Sequence, residues 1–231
     1  MTTLTGVPLS APITQFTTLA TPQSTRWLAL GALAGPLLFT FAWFGLGFLS
    51  PGYTLFDTLI APYSPISQPV SGLGLGPTGP IMNAAFVLSG LLLLAGVVGV
   101  FRGIPTVGTV QRWSCALLLA LSPLGAVIDG IFTLESPMVH LIGFLLATAT
   151  PILSFPIAGA FLGSVPRWRR FGSWLLLGSP LTLALLMVFF LTFSPTAAGA
   201  ATGVAGLTQR VLVFEVQAWF VAIGWLAFRR S

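Results

Sequence analysis

Ionisable side chains are scarce in this chain, so the few that occur mark where chemistry is available. Asp129, Glu135 and the only histidine, His140, fall in one short stretch, Asp-Gly-Ile-Phe-Thr-Leu-Glu-Ser-Pro-Met-Val-His, and Glu215 stands alone in a later apolar segment. A carboxylate beside an imidazole is the minimum equipment for general acid–base work. At membrane depth such groups are disfavoured by about 3 kcal/mol each, even on the most lenient insertion scale, so they usually mark function. Val211 and Trp219 share the helical face of Glu215 and put it below the interface, where it needs a partner. Asp129, His140 and Glu215 are the candidate catalytic residues. Asn83, Glu135, Arg210 and Trp219 are the candidate ligand-binding residues around them. Asp57 reads as solvated surface and Gln217 as an interhelical hydrogen-bonding group.

The elements that must position these residues are membrane helices. The chain has 231 residues, 55% hydrophobic and 6% charged, with a mean hydropathy of +0.99; a soluble domain carries roughly 25% charged residues. The net charge of +5 comes from nine arginines, with no lysine, against four acids. These are sparse membrane-flanking charges and not a nucleic-acid-binding face. One cysteine, Cys115, permits no internal disulfide and reads as a packing residue. One histidine with scattered acids is a poor zinc set, since catalytic zinc takes three protein ligands. No metal or other cofactor is expected.

Along the chain, residues 1–26 are Thr/Pro-rich, lack a signal-peptide pattern and read as a flexible cytoplasmic tail. Residues 27–230 form one all-α domain, a six-helix transmembrane bundle, with spans near 27–49, 80–101, 113–133, 137–163, 172–193 and 211–228. Thr78 with Pro80, and Ser136 with Pro137, read as N-cap and first-turn pairs. An extracytoplasmic loop, 51–79, is too rich in proline and glycine to span. Within it Thr54–Ile60 suits a short interfacial helix, and the regular glycines that follow favour an ordered loop. Gly74-x-Gly76-x-x-Gly79 formally matches a dinucleotide fingerprint but follows no strand, and is rejected.

Every arginine except Arg210 falls at one end of the spans, with Trp27, Trp113, Trp168, Trp174 and Trp225; by the positive-inside rule this end and both termini are cytoplasmic in the cell membrane. All the acids and His140 then fall in the outer half. In the first, third and fifth spans Gly35-Pro36-Leu37, Ser122-Pro123-Leu124 and Ser179-Pro180-Leu181 sit at one depth, roughly 15 Å in. They predict bent helices whose freed carbonyls find partners on neighbours or in a cavity; Pro151 and Pro156 predict the same for the fourth. The repetition fits either a threefold hairpin repeat or the general frequency of proline in membrane helices. With Ser136 as N-cap, Glu135 and His140 occupy staple positions and would pair. Asp129, at a helix C-terminus where a negative charge is disfavoured, needs Arg210 or His140.

From Tyr63-Ser-Pro-Ile-Ser-Gln-Pro-Val-Ser-Gly-Leu-Gly-Leu-Gly-Pro-Thr-Gly-Pro-Ile-Met-Asn83 through Gly90, the chain closely resembles a family of small bacterial and archaeal membrane proteins known as domain of unknown function 998. The likeness extends more loosely across all six spans. It implies the same bundle and no established activity. Phe132-Thr-Leu-Glu135 followed by His140 is similar to that family's acidic hairpin before a histidine helix. Relatives often have a second histidine nearby, which this chain lacks, and that further weakens a metal-centred reading.

Three readings remain open. The lead is an acid/base enzyme acting on an amphipathic or isoprenoid-like lipid in an outward-facing pocket, with the long loop as a lid. A lipid or small-molecule binding or transport protein is the alternative, and a structural or assembly subunit is the third. Membrane lipids are the expected partners in all three, together with a lipidic or small-molecule ligand in the first two. Nucleic acid is excluded, and a protein partner is left unspecified.

Overall fold

The computed structural model describes residues 23–104, 108–194 and 203–230. Most of the N-terminal tail therefore lies outside the described residues, as do Pro195 and much of the loop after it. Among the described residues six helical spans are long and apolar enough to cross a membrane. The first span is α1 (Gln23–Ala29) and α2 (Gly31–Leu49), separated by the turn at Leu30. The others are α3 (Gly79–Arg102), α4 (Thr109–Ile131), α5 (Pro137–Ser164), α6 (Arg169–Thr192) and α7 (Ala205–Arg230). Helix α1 already includes residues 23–26, which the sequence assigns to a flexible tail. Helix α7 starts six residues before the expected 211, because Gly206, Gln209 and Arg210 pack against residues 65–70 of the long loop.

Each helix packs on the next, and α7 returns to α2, closing a ring. Without a hydrophobic force between helices in lipid, close approach depends on small residues. A Cβ on Gly31 would meet the Leu92 carbonyl, and one on Gly96 the backbone of Ala32, so α2 and α3 touch backbone to backbone. Helix α2, α4 and α6 each run unbroken across one internal proline, and α5 across two. The carbonyls that the α5 prolines free are taken up by neighbouring helices. Ser122 Oγ donates to Ala147 O, four residues before Pro151, at 2.7 Å. Ser179 Oγ donates to Ile152 O, four residues before Pro156, at 2.6 Å. The serines of the Ser-Pro-Leu repeats thus repair the helix beside them.

At one end the arginines lie over aromatic rings: Arg26 over Phe228 at 4.3 Å, Arg230 over Trp168 at 4.9 Å and Arg112 over Trp113 at 5.4 Å. Between that end and mid-bundle the core is apolar, with Ala32, Val97, Leu119, Phe155, Phe220 and Ile223 buried.

At the other end the long loop folds inward. Thr54–Ile60 is not a helix but a hairpin, β1 (Tyr53–Leu55) paired antiparallel with β2 (Thr58–Ile60), with Phe56 and Asp57 at φ 47° and 62° in the turn. Both turn residues are left-handed, as a two-residue type I′ connection requires. A seven-residue helix is too short to nucleate well, whereas this register faces Tyr53 and Ile60 together into the outer core. Asp57 is exposed at the tip. Beyond it every residue from Ser67 to Leu75 is buried, and the segment enters the mouth of the ring as a plug.

Candidate functional site

Buried irregular backbone is tolerated at membrane depth only where the protein satisfies its polar groups, and here a few side chains do so. Arg210 is the main one: Nη1 donates to Pro65 O (2.6 Å), Gln68 O (3.0 Å) and Gly206 O (2.9 Å), and Nη2 to the Tyr63 hydroxyl (2.5 Å). Tyr63 in turn donates to Pro69 O at 3.0 Å. Asn83 Nδ2 donates to Gly74 O at 3.0 Å, and Gln209 Oε1 accepts from Val70 N at 2.6 Å. Gly206 is the floor, since a Cβ there would meet the carbonyls of Pro65 and Gln68. Burial raises the Tyr53 phenol to about 12, and raises Tyr63 against the opposing pull of Arg210. Both phenols stay neutral.

The plug carries Ser71 to the histidine. His140 Nε2 lies 2.8 Å from Ser71 Oγ, and Nδ1 lies 2.8 Å from Phe132 O. A carbonyl only accepts, so Nδ1 carries the proton and Nε2 is the acceptor; the Ser71 hydroxyl donates to it. Asp129 Oδ1 is 3.5 Å from Nδ1, buried and without a hydrogen-bond partner. Gly143 makes room for it, because a Cβ there would strike that oxygen. Hydroxyl, imidazole and carboxyl thus form a line, each nearly buried: Ser71 at 6%, His140 at 6% and Asp129 at 4% exposure.

Two spaces meet at this line. A central cavity of about 60 Å³ lies between α2, α3, α4, α5 and α7, under the plug, with Pro36, Pro123, Asp129 and Gln217 in its wall. A groove of about 280 Å³ runs between α5 and α6 on the outside of the ring, lined by Met138, Leu141, Phe144, Phe189, Phe190 and Phe193. Ser71 and Gln209 line both spaces; His140 lines the groove and Asp129 the cavity. Met138, at 70% exposure, and Phe190, at 44%, put the groove's open side on the outer surface of the bundle. Among the described residues no three of His, Cys, Asp and Glu come together.

Several expected arrangements are different. Glu135 does not pair with His140: it is exposed in the hairpin, where Thr133 Oγ1 contacts its carboxylate at 3.4 Å, while both histidine nitrogens are engaged elsewhere. Arg210 is not the partner of Asp129: its two terminal nitrogens turn to Pro65 O, Gln68 O, Gly206 O and the Tyr63 hydroxyl instead. Neither Thr78 nor Ser136 caps a helix through its side chain; Thr78 Oγ1 donates instead to Leu73 O inside the plug. Asn83, near the start of α3, clasps the plug.

A family described as "Protein of unknown function (DUF998)" matches residues 33–226, from α2 to the last turns of α7. The chain belongs to the DUF998 family. No curated protein and no solved structure matches it. The DUF998 match takes in the plug, the Ser71–His140–Asp129 line, the cavity and the groove, and leaves out only α1 and the chain ends.

Glu215 of this DUF998 chain is not beside Asp129 and His140. It faces α6, accepting from Thr182 Oγ1 at 2.9 Å and from Trp219 Nε1 at 2.6 Å, and it lines neither space. Trp219 is thereby turned into the α5–α6–α7 packing, its ring against Phe155 and Phe171. Gln217 accepts from Thr40 at 3.1 Å, joining α7 to α2. Sequence reasoning missed Ser71 and Gln209. The only trace of Ser71 is its setting, a hydroxyl beside closely spaced glycines in a segment too polar to span.

Proposed function

We propose that this DUF998 protein is a membrane-embedded acid/base enzyme acting on an amphipathic lipid, with its site at the extracytoplasmic end of the bundle and both termini in the cytoplasm. One observation carries the reading: a histidine whose free nitrogen faces a hydroxyl, backed by an unpartnered buried carboxyl, stands where an apolar groove on the outside of the bundle meets a small, mainly apolar central cavity. The groove, near the low end of ligand-pocket volumes of about 300 Å³, suits part of an acyl or isoprenoid chain, with the rest lying along the outside of α5 and α6. His140 acts as the base, since its free nitrogen is the acceptor and its other N–H is held by Phe132 O. Asp129, 3.5 Å behind it, stabilises the imidazolium that forms. Glu215 is assigned to helix packing. The plug, clasped by Arg210, is a fixed wall of the site and not a lid that must open to admit a chain from the side.

A binding or transport role has one observation in its favour, the Asp129 oxygen left without a partner in a cavity large enough for a few waters. The continuous apolar core towards the arginine-bearing end disfavours a through-path. The test is mass spectrometry of the lipids in cells expressing wild type, His140→Gln or Asp129→Asn. The expected result is one lipid class that accumulates in both variants and falls when wild type is restored. Identical profiles would remove the enzymatic reading. A non-lipid small molecule co-purifying with wild type and lost in Asp129→Asn would put binding in its place.

A further inference from the structure

Resting on the acid/base reading, we propose that Ser71 is a nucleophile and that the reaction is acyl transfer from a lipid ester through an acyl-Ser71 intermediate. The Ser71 hydroxyl needs a base, and it has one: its proton points at His140 Nε2, 2.8 Å away, in the tautomer fixed by Phe132 O. Phe132 O orients the base, and the Asp129 carboxyl stands beside the same nitrogen at 3.5 Å without a hydrogen bond to it. This is the order of roles in nucleophile–base–carboxyl relays, which are recognised by geometry and not by sequence position.

It also needs donors for the negative charge that develops on the carbonyl oxygen. Gln209 is 4% exposed and lines the cavity and the groove together with Ser71. Its Oε1 is committed to the Val70 N–H, so its amide nitrogen is the free end, with no hydrogen-bond partner among the described residues. The Ser71 N–H, in the first turn of the 3-10 segment Val70–Gly74, likewise has no partner among the described residues. The structure thus supplies two unspent donors at the wall where an ester in the groove would present its carbonyl. The Phe144, Phe189, Phe190 and Phe193 lining fits the acyl chain of that ester.

In the first half-reaction Ser71 Oγ bonds to the ester carbonyl carbon as its proton passes to His140 Nε2, and the carbonyl electron pair moves onto oxygen. Collapse breaks the bond to the alcohol, which leaves with the proton from Nε2, and the acyl group stays on Ser71. In the second, the hydroxyl of an acceptor lipid, or water, gives its proton to Nε2 and attacks the acyl carbon. Collapse breaks the bond between the acyl carbon and Ser71 Oγ, which takes the proton back from Nε2, and the product is a new ester or a free acid. No oxidant or metal takes part.

The direct test is covalent capture. Purified full-length protein in mild detergent is treated with a long-chain alkyl fluorophosphonate, and the modified peptide is identified by mass spectrometry. The expected adduct is on Ser71. Labelling should fall roughly 100-fold or more in His140→Gln. It should fall to a similar degree in Gln209→Glu, which keeps an acceptor for the Val70 N–H but loses the donor. Ser71→Cys checks against simple misfolding: its thiol keeps a hydrogen bond to His140 and should be alkylated by iodoacetamide at least tenfold faster than buried Cys115. A merely structural Ser71 would change melting behaviour in Ser71→Ala but give no adduct in wild type. An adduct absent from Ser71, or formed there equally fast in His140→Gln, overturns the proposal. If Ser71→Ala keeps the wild-type lipid profile while His140→Gln loses it, the nucleophile is wrong and the broader acid/base reading stands. If neither variant alters the profile, both fall.

Discussion

Arg210 is the one arginine away from the aromatic-flanked end, and it is almost fully buried. It acts as a multi-toothed clasp: one guanidinium reaches two plug carbonyls, a carbonyl of its own helix and a tyrosine hydroxyl. A planar fork with five donors can do this, and an ammonium cannot do so in the same geometry. Leaving buried carbonyls unsatisfied costs about 1–3 kcal/mol each. Arg210→Met, which strands Pro65 O and Gln68 O, should therefore destabilise the protein by about 3 kcal/mol or more, with Arg210→Lys intermediate. Thermal unfolding in detergent checks the stability, and hydrogen exchange over 63–75 checks that the loss is in the plug; unchanged exchange in Arg210→Met would sink this account. The same residue shows what was legible at this scale. That Asp129, His140, Glu215 and Arg210 matter follows from their rarity in an apolar chain. Which of them meet does not, because depth along a helix gives no azimuth: Glu215 faces α6 while Asp129 faces the cavity. Ser71 is one serine among many, and only the path of the plug brings it to His140.

At the level of elements the spans were legible because a run of about 20 apolar residues has few alternatives in a bilayer. The 51–79 loop was not, because its structure is decided by contacts with α5 and α7, far away in sequence. The bare pattern of Thr54–Ile60 does not distinguish a short helix from a hairpin, and burial of Tyr53 against the plug decides it: a Cβ on Gly72 would collide with that ring. The prolines show a related division. Their equal depth was visible, whereas the pairing of a serine on one helix with a proline on the next emerges only when α4, α5 and α6 are side by side. That pairing predicts a specific non-additivity. Ser122→Ala alone strands Ala147 O and should destabilise by about 1 kcal/mol, in the range of interhelical hydrogen bonds in membranes. In a Pro151→Ala background, residue 151 regains an N–H that bonds Ala147 O within α5, so the same change should be nearly neutral. A double-mutant cycle measured by unfolding in detergent should give a coupling of about 0.5–1 kcal/mol. Strict additivity would mean that the serine's contact with Ala147 O does not stand in for the missing helix bond.

On the scale of the whole molecule, charge and cavity are segregated along one axis. Eight of the nine arginines mark one end; the plug with Arg210, His140, Asp129 and the groove occupy the other; the apolar core lies between. Every proposed step thus takes place in one leaflet, and the leaflet follows from orientation. In the orientation proposed above from the arginine excess at one end of all six spans, the groove would open to the outer leaflet and the hairpin tip at Asp57 would face outside. A cysteine introduced by Asp57→Cys should be labelled by a membrane-impermeant maleimide on intact cells, and one introduced by Arg102→Cys only after permeabilisation, with buried Cys115 unlabelled in both. The opposite pattern would leave the relay and the groove intact but move the substrate to the inner leaflet. Lipids synthesised in the cytoplasm would then reach Ser71 directly, and an enzyme confined to lipids already exported to the outer leaflet would no longer be a tenable description.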